Sequence, residues 1–231
     1  MCASGPLIEE LSTIAVDDTH EVSGLWLTPS DPLACFVLAH GAGAGMRHPA
    51  MATLAHDLAE RGIATFRYQF PYMERGSRRP DPPALCHATV RAAVAAAARL
   101  TGKPLIAGGR SFGGRMTSQA QAAAALAGVR GLAFLAFPLH PAKRLSDERA
   151  AHLFNVQIPM LFLQGARDDL ADLALLEPLV ARLGKRARLH VLQEADHSFH
   201  APARSGRKDA EIRAEAVSVL VEWIRMLLGS S

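Results

Sequence analysis

The sequence predicts an α/β fold, in which a mostly parallel central sheet is covered by helices on both faces. Short apolar runs with strand character alternate along the chain with segments whose apolar residues recur at helical spacing. Strands that are apolar throughout, separated by helices, are typical of parallel sheets buried on both sides. With 231 residues, of which 49% are hydrophobic, the chain can bury a sizeable core. We therefore expect a single domain over residues 1–231.

The start of the chain departs from this alternation, because two strand patterns come in succession. Residues 12–16 and 22–27 flank Asp17-Asp18-Thr19-His20, whose small polar side chains suit a tight turn. We expect this pair to form an antiparallel hairpin at one edge of the sheet.

The remaining elements follow in regular order, and glycine or proline separates many of them. The predicted strands are 34–39, 63–68, 105–108, 131–137, 160–164 and 187–192, and the predicted helices are 51–58, 84–100, 112–126, 173–183 and 210–228. Residues 142–157 fit neither pattern. The stretch between Pro138 and Pro159 is too short for a cap domain, so we expect little or no cap and an open pocket.

Composition and charge argue against several classes of protein. The formal net charge is only +3 and the basic residues are scattered, which does not indicate a nucleic-acid partner. No uncharged apolar stretch reaches the length of a membrane helix. Residues 1–6 lack the basic start and apolar stretch of a secretory signal, so we expect a cytoplasmic protein. Cys2, Cys35 and Cys86 are widely spaced, and no metal-binding motif is present, so we expect neither a metal nor another cofactor.

The segment around Ser111 predicts a catalytic nucleophile. Gly109-Arg110-Ser111-Phe112-Gly113 lies directly between a predicted strand and a predicted helix, which is the context of a nucleophile elbow. Small residues are needed there because the turn is strained and neighbouring chains crowd it. The start of the helix offers free N–H groups that favour a developing oxyanion.

A serine hydroxyl needs a base and an orienting acid, and both residue types follow Ser111 in the chain. Asp168 comes just after the predicted strand 160–164, and His197 comes after the strand 187–192. The order Ser, Asp, His and the shared sheet edge are those of a catalytic triad assembled from separate strands. We expect His197 to act as general base and Asp168 to hold its imidazole in the right tautomer.

Alternatives remain open for the acid and the base. Asp169 and Asp172 are rivals for the acid, and His200 is the second choice for the base. Asp196 is interpreted as structural, because adjacent side chains point in different directions and would seldom bond to each other.

The loop after strand 34–39 predicts the other half of an oxyanion hole. His40-Gly41-Ala42-Gly43-Ala44-Gly45 is rich in small residues, which let backbone N–H groups face a substrate. We favour Ala42, with Gly43 as the alternative, as the donor that joins Phe112. His40 is interpreted as a structural residue under this loop. The glycines do not fit a dinucleotide fingerprint, because their spacing is GxGxG rather than GxGxxG.

Four segments together resemble the α/β-hydrolase superfamily along the whole chain. They are His40 to Gly45, Phe66 to Tyr72, Gly109 to Arg115, and Asp196 to Phe199. The chain is also similar to the dienelactone-hydrolase-like group of predicted hydrolases that includes testis-expressed and histone-acetyltransferase-complex homologues. The resemblance implies cofactor-free hydrolysis of an ester or thioester through an acyl-enzyme. Dienelactone hydrolases proper carry a cysteine nucleophile where this chain has Ser111, which argues against lactone chemistry.

Two further hypotheses concern the substrate and the rival function. Four arginines are expected near the catalytic edge of the sheet: Arg47, Arg67, Arg110 and Arg115. They motivate the hypothesis that the small-molecule substrate carries an anionic group. The alternative is that these arginines bond carbonyls and carboxylates within the fold. The rival function is a non-catalytic binding or scaffold protein, because a fold does not guarantee an activity. The oligomeric state stays open.

Overall fold

A central sheet of eight strands organises the computed structural model, which describes residues 7–229. The strands are β1 (Ile8–Ala15), β2 (Glu21–Thr28), β3 (Ala34–Ala39), β4 (Ile63–Tyr68), β5 (Leu105–Arg110), β6 (Val129–Leu135), β7 (Met160–Gly165) and β8 (Ala187–Leu192). The helices are α1 (Pro49–Ala59), α2 (Pro71–Glu74), α3 (Pro83–Leu100), α4 (Phe112–Ala123), α5 (Leu173–Leu183) and α6 (Asp209–Gly229). Residues 1–6, on which the expectation about a secretory signal rests and which include Cys2, lie outside the described residues.

The sheet is mostly parallel, with an antiparallel edge, as predicted. The strand order is β1-β2-β4-β3-β5-β6-β7-β8, and the pairs β1–β2 and β2–β4 are antiparallel while all others are parallel. The hairpin begins at Ile8, four residues before the predicted start at 12. Its first residues are exposed, because an edge strand is held by backbone pairing and needs no apolar pattern there.

The strand order reverses its direction between β3 and β5. From β3 the chain passes to β4 on one side, and it then returns through α2 and α3 to β5 on the other side. Ligands of open α/β sheets bind at such a switch point, outside the carboxyl ends of the strands. The loop after β3 and Ser111 after β5 therefore meet at the same place.

Helices cover both faces of the sheet, and the buried strands alternate between two cores. Val37 of β3 and Phe134 of β6 pack with α3, α4 and α5 on one face. Phe36 and Leu38 of β3 pack with α1 and α6 on the other face. This two-sided burial explains why the strands are apolar throughout rather than alternating.

Several elements differ from their predicted extent. The strand predicted over 105–108 continues to Arg110, and the helix predicted over 112–126 ends at Ala123. Strand β6 ends at Leu135, not at 137, because Ala136 takes a left-handed backbone conformation with φ of 58°. The ambiguous stretch contains one 3₁₀ helix, Glu148–Asn155, which packs against α4. Between β6 and β7 the chain therefore carries a short helical segment and not a cap domain.

Two kinds of feature are absent from the described residues. Within residues 7–229 no helix is long and apolar enough to span a membrane. In the same part of the chain, no group of three or more His, Cys, Asp or Glu side chains is arranged to hold a metal ion.

Candidate active site

Ser111 stands on a strained turn between β5 and α4. Its backbone has φ of 48° and ψ of −117°, outside the conformations that L-residues prefer, and its N–H donates to the Leu135 carbonyl at 2.9 Å. The turn presses against β3 because its glycines carry no side chain. A Cβ at Gly109 would lie 2.2 Å from the Ala39 carbonyl oxygen, and one at Gly113 would lie 2.4 Å from that of His40. Any larger residue would push the elbow away from the loop after β3.

The structure brings Ser111, His197 and Asp168 into one chain of hydrogen bonds. His197 Nε2 lies 2.8 Å from Ser111 Oγ, and His197 Nδ1 lies 2.7 Å from Asp168 Oδ2. The Asp168 side chain is fully buried, whereas the His197 side chain keeps 26% of its surface exposed. The imidazole therefore connects a buried carboxylate to a hydroxyl at the surface of a cleft.

The Asp168 carboxylate is held by further donors besides His197. Gln164 Nε2 lies 2.5 Å from Oδ2, and the Leu170 N–H donates to Oδ1 at 2.8 Å. Such donors stabilise a buried carboxylate, because they replace the hydrogen bonds that it would make to water. Gln164, in β7, is itself completely buried, and this supporting role was not predicted from the sequence.

The alternative residues take no part in this chain of hydrogen bonds. Asp172 accepts from the Ala174 N–H and so caps α5, while Asp169 is exposed. His200 pairs with Asp209, and it does not contact Ser111. The Asp196 carboxylate accepts the N–H groups of Ser198 and His200, which shapes the turn that carries His197.

His40 lies under the loop after β3 and fixes the direction of its peptides. It is fully buried, its Nδ1 donates to the Gly41 carbonyl at 2.7 Å, and its Nε2 accepts the Phe70 N–H at 3.1 Å. Burial lowers the pKa of His40 to about 4, which favours the neutral imidazole that these two bonds require. Because a peptide is planar and trans, holding the Gly41 carbonyl also turns the Ala42 N–H in the opposite direction.

Aromatic rings support this loop and the start of α4 together. The Tyr72 hydroxyl donates to the Ala42 carbonyl at 3.0 Å. The Phe112 ring lies edge to face with the rings of Phe70 and Tyr72, at centroid distances of 5.5 and 6.2 Å. The Phe112 N–H is the first of α4 and has no acceptor within its own helix. The N–H groups of Ala42 and Phe112 therefore belong to two segments that share one aromatic support.

A cleft of about 340 Å³ opens over Ser111. Residues from four segments line it, and they are Gly41 to Ala44, then His48, Ala50 and Met51, then Arg110 and Ser111, and finally His197 and Ser198. A larger depression of about 730 Å³ lies behind Asp168, but neither Ser111 nor His197 lines it. A substrate that reacts with Ser111 must therefore enter the cleft of about 340 Å³.

The four arginines expected near a substrate lie in different places. Arg110 lines the cleft, donates to the His197 carbonyl at 2.8 Å and lies over the Phe199 ring. Arg67 is buried and donates to the Met46 carbonyl and to Glu9. Arg47 lines a separate depression, and Arg115 lies over the Phe112 ring on the side of α4. Arg110 is the one member of this set that the structure places in the lining of the Ser111 cleft.

Tyr72 and Gln164 are the supporting residues that sequence reasoning missed. Each follows or ends a strand at the same edge of the sheet as Ser111. Their position was therefore visible in the sequence, but their hydrogen bonds were not. Tyr72 belongs to one of the segments that carry the family resemblance, and this was the available signal.

Comparison with known proteins agrees with this architecture. A family model described as an alpha/beta hydrolase domain matches residues 32–225. A dienelactone hydrolase from Anabaena variabilis superposes with a TM-score of 0.77 at 19% identity, covering 95% of this chain and 98% of that one. An α/β serine hydrolase without a lid from Xanthomonas campestris gives 0.71 at 22%, again covering 95% and 98%. The esterase domain of a Rhodothermus marinus protein gives 0.72 at 16%, with the same coverages. The matched residues make up most of the chain, and the protein therefore belongs to the alpha/beta hydrolase domain family.

Proposed function

We propose that this protein is a serine hydrolase that cleaves a small carboxylic ester or thioester. The observation that carries the proposal is the continuous chain from Ser111 Oγ through His197 to the buried Asp168 carboxylate, at 2.8 and 2.7 Å. A serine with this support and an open cleft above it has the arrangement that acyl transfer requires.

In the first half of the reaction, His197 Nε2 removes the Ser111 proton as Oγ attacks the substrate carbonyl carbon. The tetrahedral intermediate collapses, the bond from carbon to the leaving oxygen or sulfur breaks, and His197 gives the proton to the leaving group. The free alcohol or thiol departs, and the acyl group stays on Ser111 as an ester. Asp168 stabilises the imidazolium formed on the way and keeps Nε2 directed at Oγ.

In the second half, water replaces the leaving group. His197 takes a proton from the water as its oxygen attacks the acyl carbon, and it returns that proton to Ser111 Oγ when the acyl bond breaks. The products are the carboxylic acid and the original enzyme. No cofactor is needed, because every proton moves between His197, Ser111, the leaving group and water.

The oxyanion is assigned to the N–H groups of Phe112 and Ala42. The Phe112 N–H begins a 12-residue helix, whose dipole favours negative charge there. The contact from His40 to the Gly41 carbonyl supports Ala42 as the second donor, since it fixes the peptide that carries the Ala42 N–H. Gly43 is the alternative, because the bond from Tyr72 to the Ala42 carbonyl fixes its peptide in the same way.

The names of similar structures support the reaction class. The neighbours include proteins described as esterases, as a serine hydrolase and as dienelactone hydrolases. The four segments that resemble the dienelactone-hydrolase-like group with testis-expressed homologues support a nearer placement beside that group.

Labelling with a fluorophosphonate probe tests the proposal, because such probes react with activated serines. We expect the native chain to be labelled, Ser111→Ala to remain unlabelled, and Ser118→Ala to be labelled like the native chain. Ser118 is a suitable control, because it also bonds a histidine but is buried in α4. A native chain that takes up no probe and cleaves no ester would favour the rival function of a non-catalytic binding protein.

A further inference from the structure

A second, smaller cavity adjoins the Ser111 cleft between α1 and the start of α6. Its volume is about 200 Å³. It shares Ala50, Arg110 and Ser198 with the cleft, so the two spaces are neighbours with a common wall. The apolar part of its lining consists of Ala50, Leu54, Leu135, Phe199 and Ala216.

The position of this cavity relates it to one end of the substrate. Ser198 and Phe199, which line it, are the two residues that follow His197. Because His197 must hand its proton to the leaving atom, the leaving group has to lie on the His197 side of the scissile bond. The donors proposed for the oxyanion are on Phe112 and Ala42, and neither residue lines the smaller cavity. The cavity is therefore placed for the leaving group and not for the carbonyl oxygen.

The charged residues of the cavity already have partners within the protein. Arg110 donates to the His197 carbonyl and lies over the Phe199 ring, with its guanidinium carbon 4.9 Å from the ring centroid. Arg213 donates to Asp57 at 2.7 Å. Asp209 accepts the Ala201 N–H and bonds His200. Because each of these groups already has a partner within the protein, the cavity does not require a charged ligand, and the apolar half of its lining favours an uncharged one.

The volume limits what can fit. A cavity of roughly 150 Å³ with apolar walls is known to accept a benzene molecule. A space of about 200 Å³ therefore suits a single ring or an aliphatic chain of roughly six carbons. We infer that this cavity binds the alcohol or thiol part of the substrate, and that this part is uncharged, apolar and short. The inference rests on the proposed hydrolase function and names the leaving-group class for the same site.

Two series of esters test the inference. In the first, the acyl group is always acetyl and the alcohol is ethanol, butanol, hexanol or decanol; in the second, the alcohol is always ethanol and the acid grows instead. Aliphatic alcohols have similar intrinsic reactivity, so differences in kcat/KM report binding. We expect kcat/KM to rise at least tenfold from ethyl to hexyl acetate and to stop rising at decyl acetate, because each buried methylene contributes until the cavity is full.

Two substitutions change the volume of the cavity from α1. Thr53→Phe adds a ring at a half-buried position of the lining, and we expect the hexyl-to-ethyl ratio to fall at least tenfold. Leu54→Ala enlarges the cavity and should extend the rise in kcat/KM beyond hexyl acetate. The matched controls on the same helix are Ala52→Phe and Leu58→Ala, because neither residue lines the cavity. Both controls should keep the native ratio, and thermal unfolding of all four variants identifies any loss of folding.

The outcomes separate failure of the subsite from failure of the proposed function. If Thr53→Phe moves the acyl series and leaves the alcohol series unchanged, the cavity holds the acyl group and the inference is overturned. If the acetate ester of 6-hydroxyhexanoate is cleaved faster than hexyl acetate, the cavity takes an anion and the uncharged class is wrong. If no ester is cleaved and the fluorophosphonate probe does not label the native chain, the proposed function fails and the subsite with it.

Discussion

Two serines of helix α4 and its N-terminus each lie 2.8 Å from a histidine nitrogen, yet their surroundings differ in every other respect. Ser111 faces a cleft and its partner His197 is bonded to a buried carboxylate. Ser118 is buried within α4, where its hydroxyl also lies 2.9 Å from the Arg115 carbonyl. Among residues 7–229, no aspartate or glutamate forms a hydrogen bond with His152.

This comparison indicates that a hydrogen bond between serine and histidine is not enough to activate the serine as a nucleophile. A histidine that is hydrogen-bonded to a serine can take the hydroxyl proton only if the resulting imidazolium is stabilised. Burial lowers the pKa of His152 to about 4, and the nearby Arg115 charge acts in the same direction, so the charged form is disfavoured. The Ser118 pair is consequently suited to packing α4 against the 3₁₀ helix Glu148–Asn155, while the Ser111 pair is suited to chemistry.

The largest expected effect distinguishes the two histidines. His197→Ala should lower kcat/KM by roughly three to four orders of magnitude, because the general base is lost while the cleft remains. His152→Ala should keep kcat/KM within about threefold of the native chain, since His152 lies outside the cleft lining. Steady-state hydrolysis of a short-chain ester measures both. Equal losses in the two variants would show that the comparison is wrong.

A somewhat smaller effect is expected at the acid. Asp168→Asn should lower kcat by roughly three orders of magnitude, because an amide cannot stabilise the imidazolium and favours the wrong tautomer. Asp172→Asn is the matched control: asparagine is also a good N-cap for α5, so kcat should stay within about twofold. A loss confined to Asp172→Asn would assign the acid to that residue instead.

The support of the oxyanion loop should have an effect of about one order of magnitude. Tyr72→Phe removes the hydroxyl that holds the Ala42 carbonyl and keeps the ring beside Phe112. We expect kcat to fall about tenfold with little change in KM, because the loop donors act on the transition state more than on the bound ester. Separate determination of kcat and KM checks this. A rise in KM with an unchanged kcat would indicate that Tyr72 serves substrate binding only.

The fold and the central part of the site were within reach of the sequence for different reasons. Apolar strands alternating with amphipathic helices specify a parallel sheet, and such a sheet collects the residues after each strand at one edge. This reasoning placed Ser111, Asp168 and His197 in one region before any contact was known. The ends of strands were harder to predict. Ala136 ends β6 in a left-handed conformation, and no glycine at this position indicates that conformation in the sequence.

Side-chain orientation was the part that the sequence could not supply. Arg67 and Arg110 both lie at the carboxyl end of a strand. Arg67 donates to the Met46 carbonyl and to Glu9, whereas Arg110 lines the cleft. Likewise, nothing in the pattern distinguishes Gln164 as a partner of Asp168, because its hydrogen bond depends on the path of the loop after β7. Packing decides these cases, and packing is not periodic.

The smallest expected effect concerns stability, where the Ser118 pair should act. The folded state lowers the pKa of His152 to about 4, so the unfolded chain binds a proton at that residue more readily. Stability from this group is fully present above about pH 6.5 and is lost as the pH falls toward 4. Because His152 is partly exposed, we expect the loss to be on the order of 1 kcal/mol.

Urea unfolding of the native chain and of His152→Gln at pH 7 and pH 5 measures this term. His40 is present in both chains and contributes the same acid sensitivity to each, because burial lowers its pKa as well. Its contribution therefore cancels in the difference. We expect the free energy of unfolding to fall less between pH 7 and pH 5 in His152→Gln than in the native chain. Identical pH dependence in the two chains would mean that His152 is protonated equally in the folded and unfolded states, and the Ser118 pair would then have no part in acid stability.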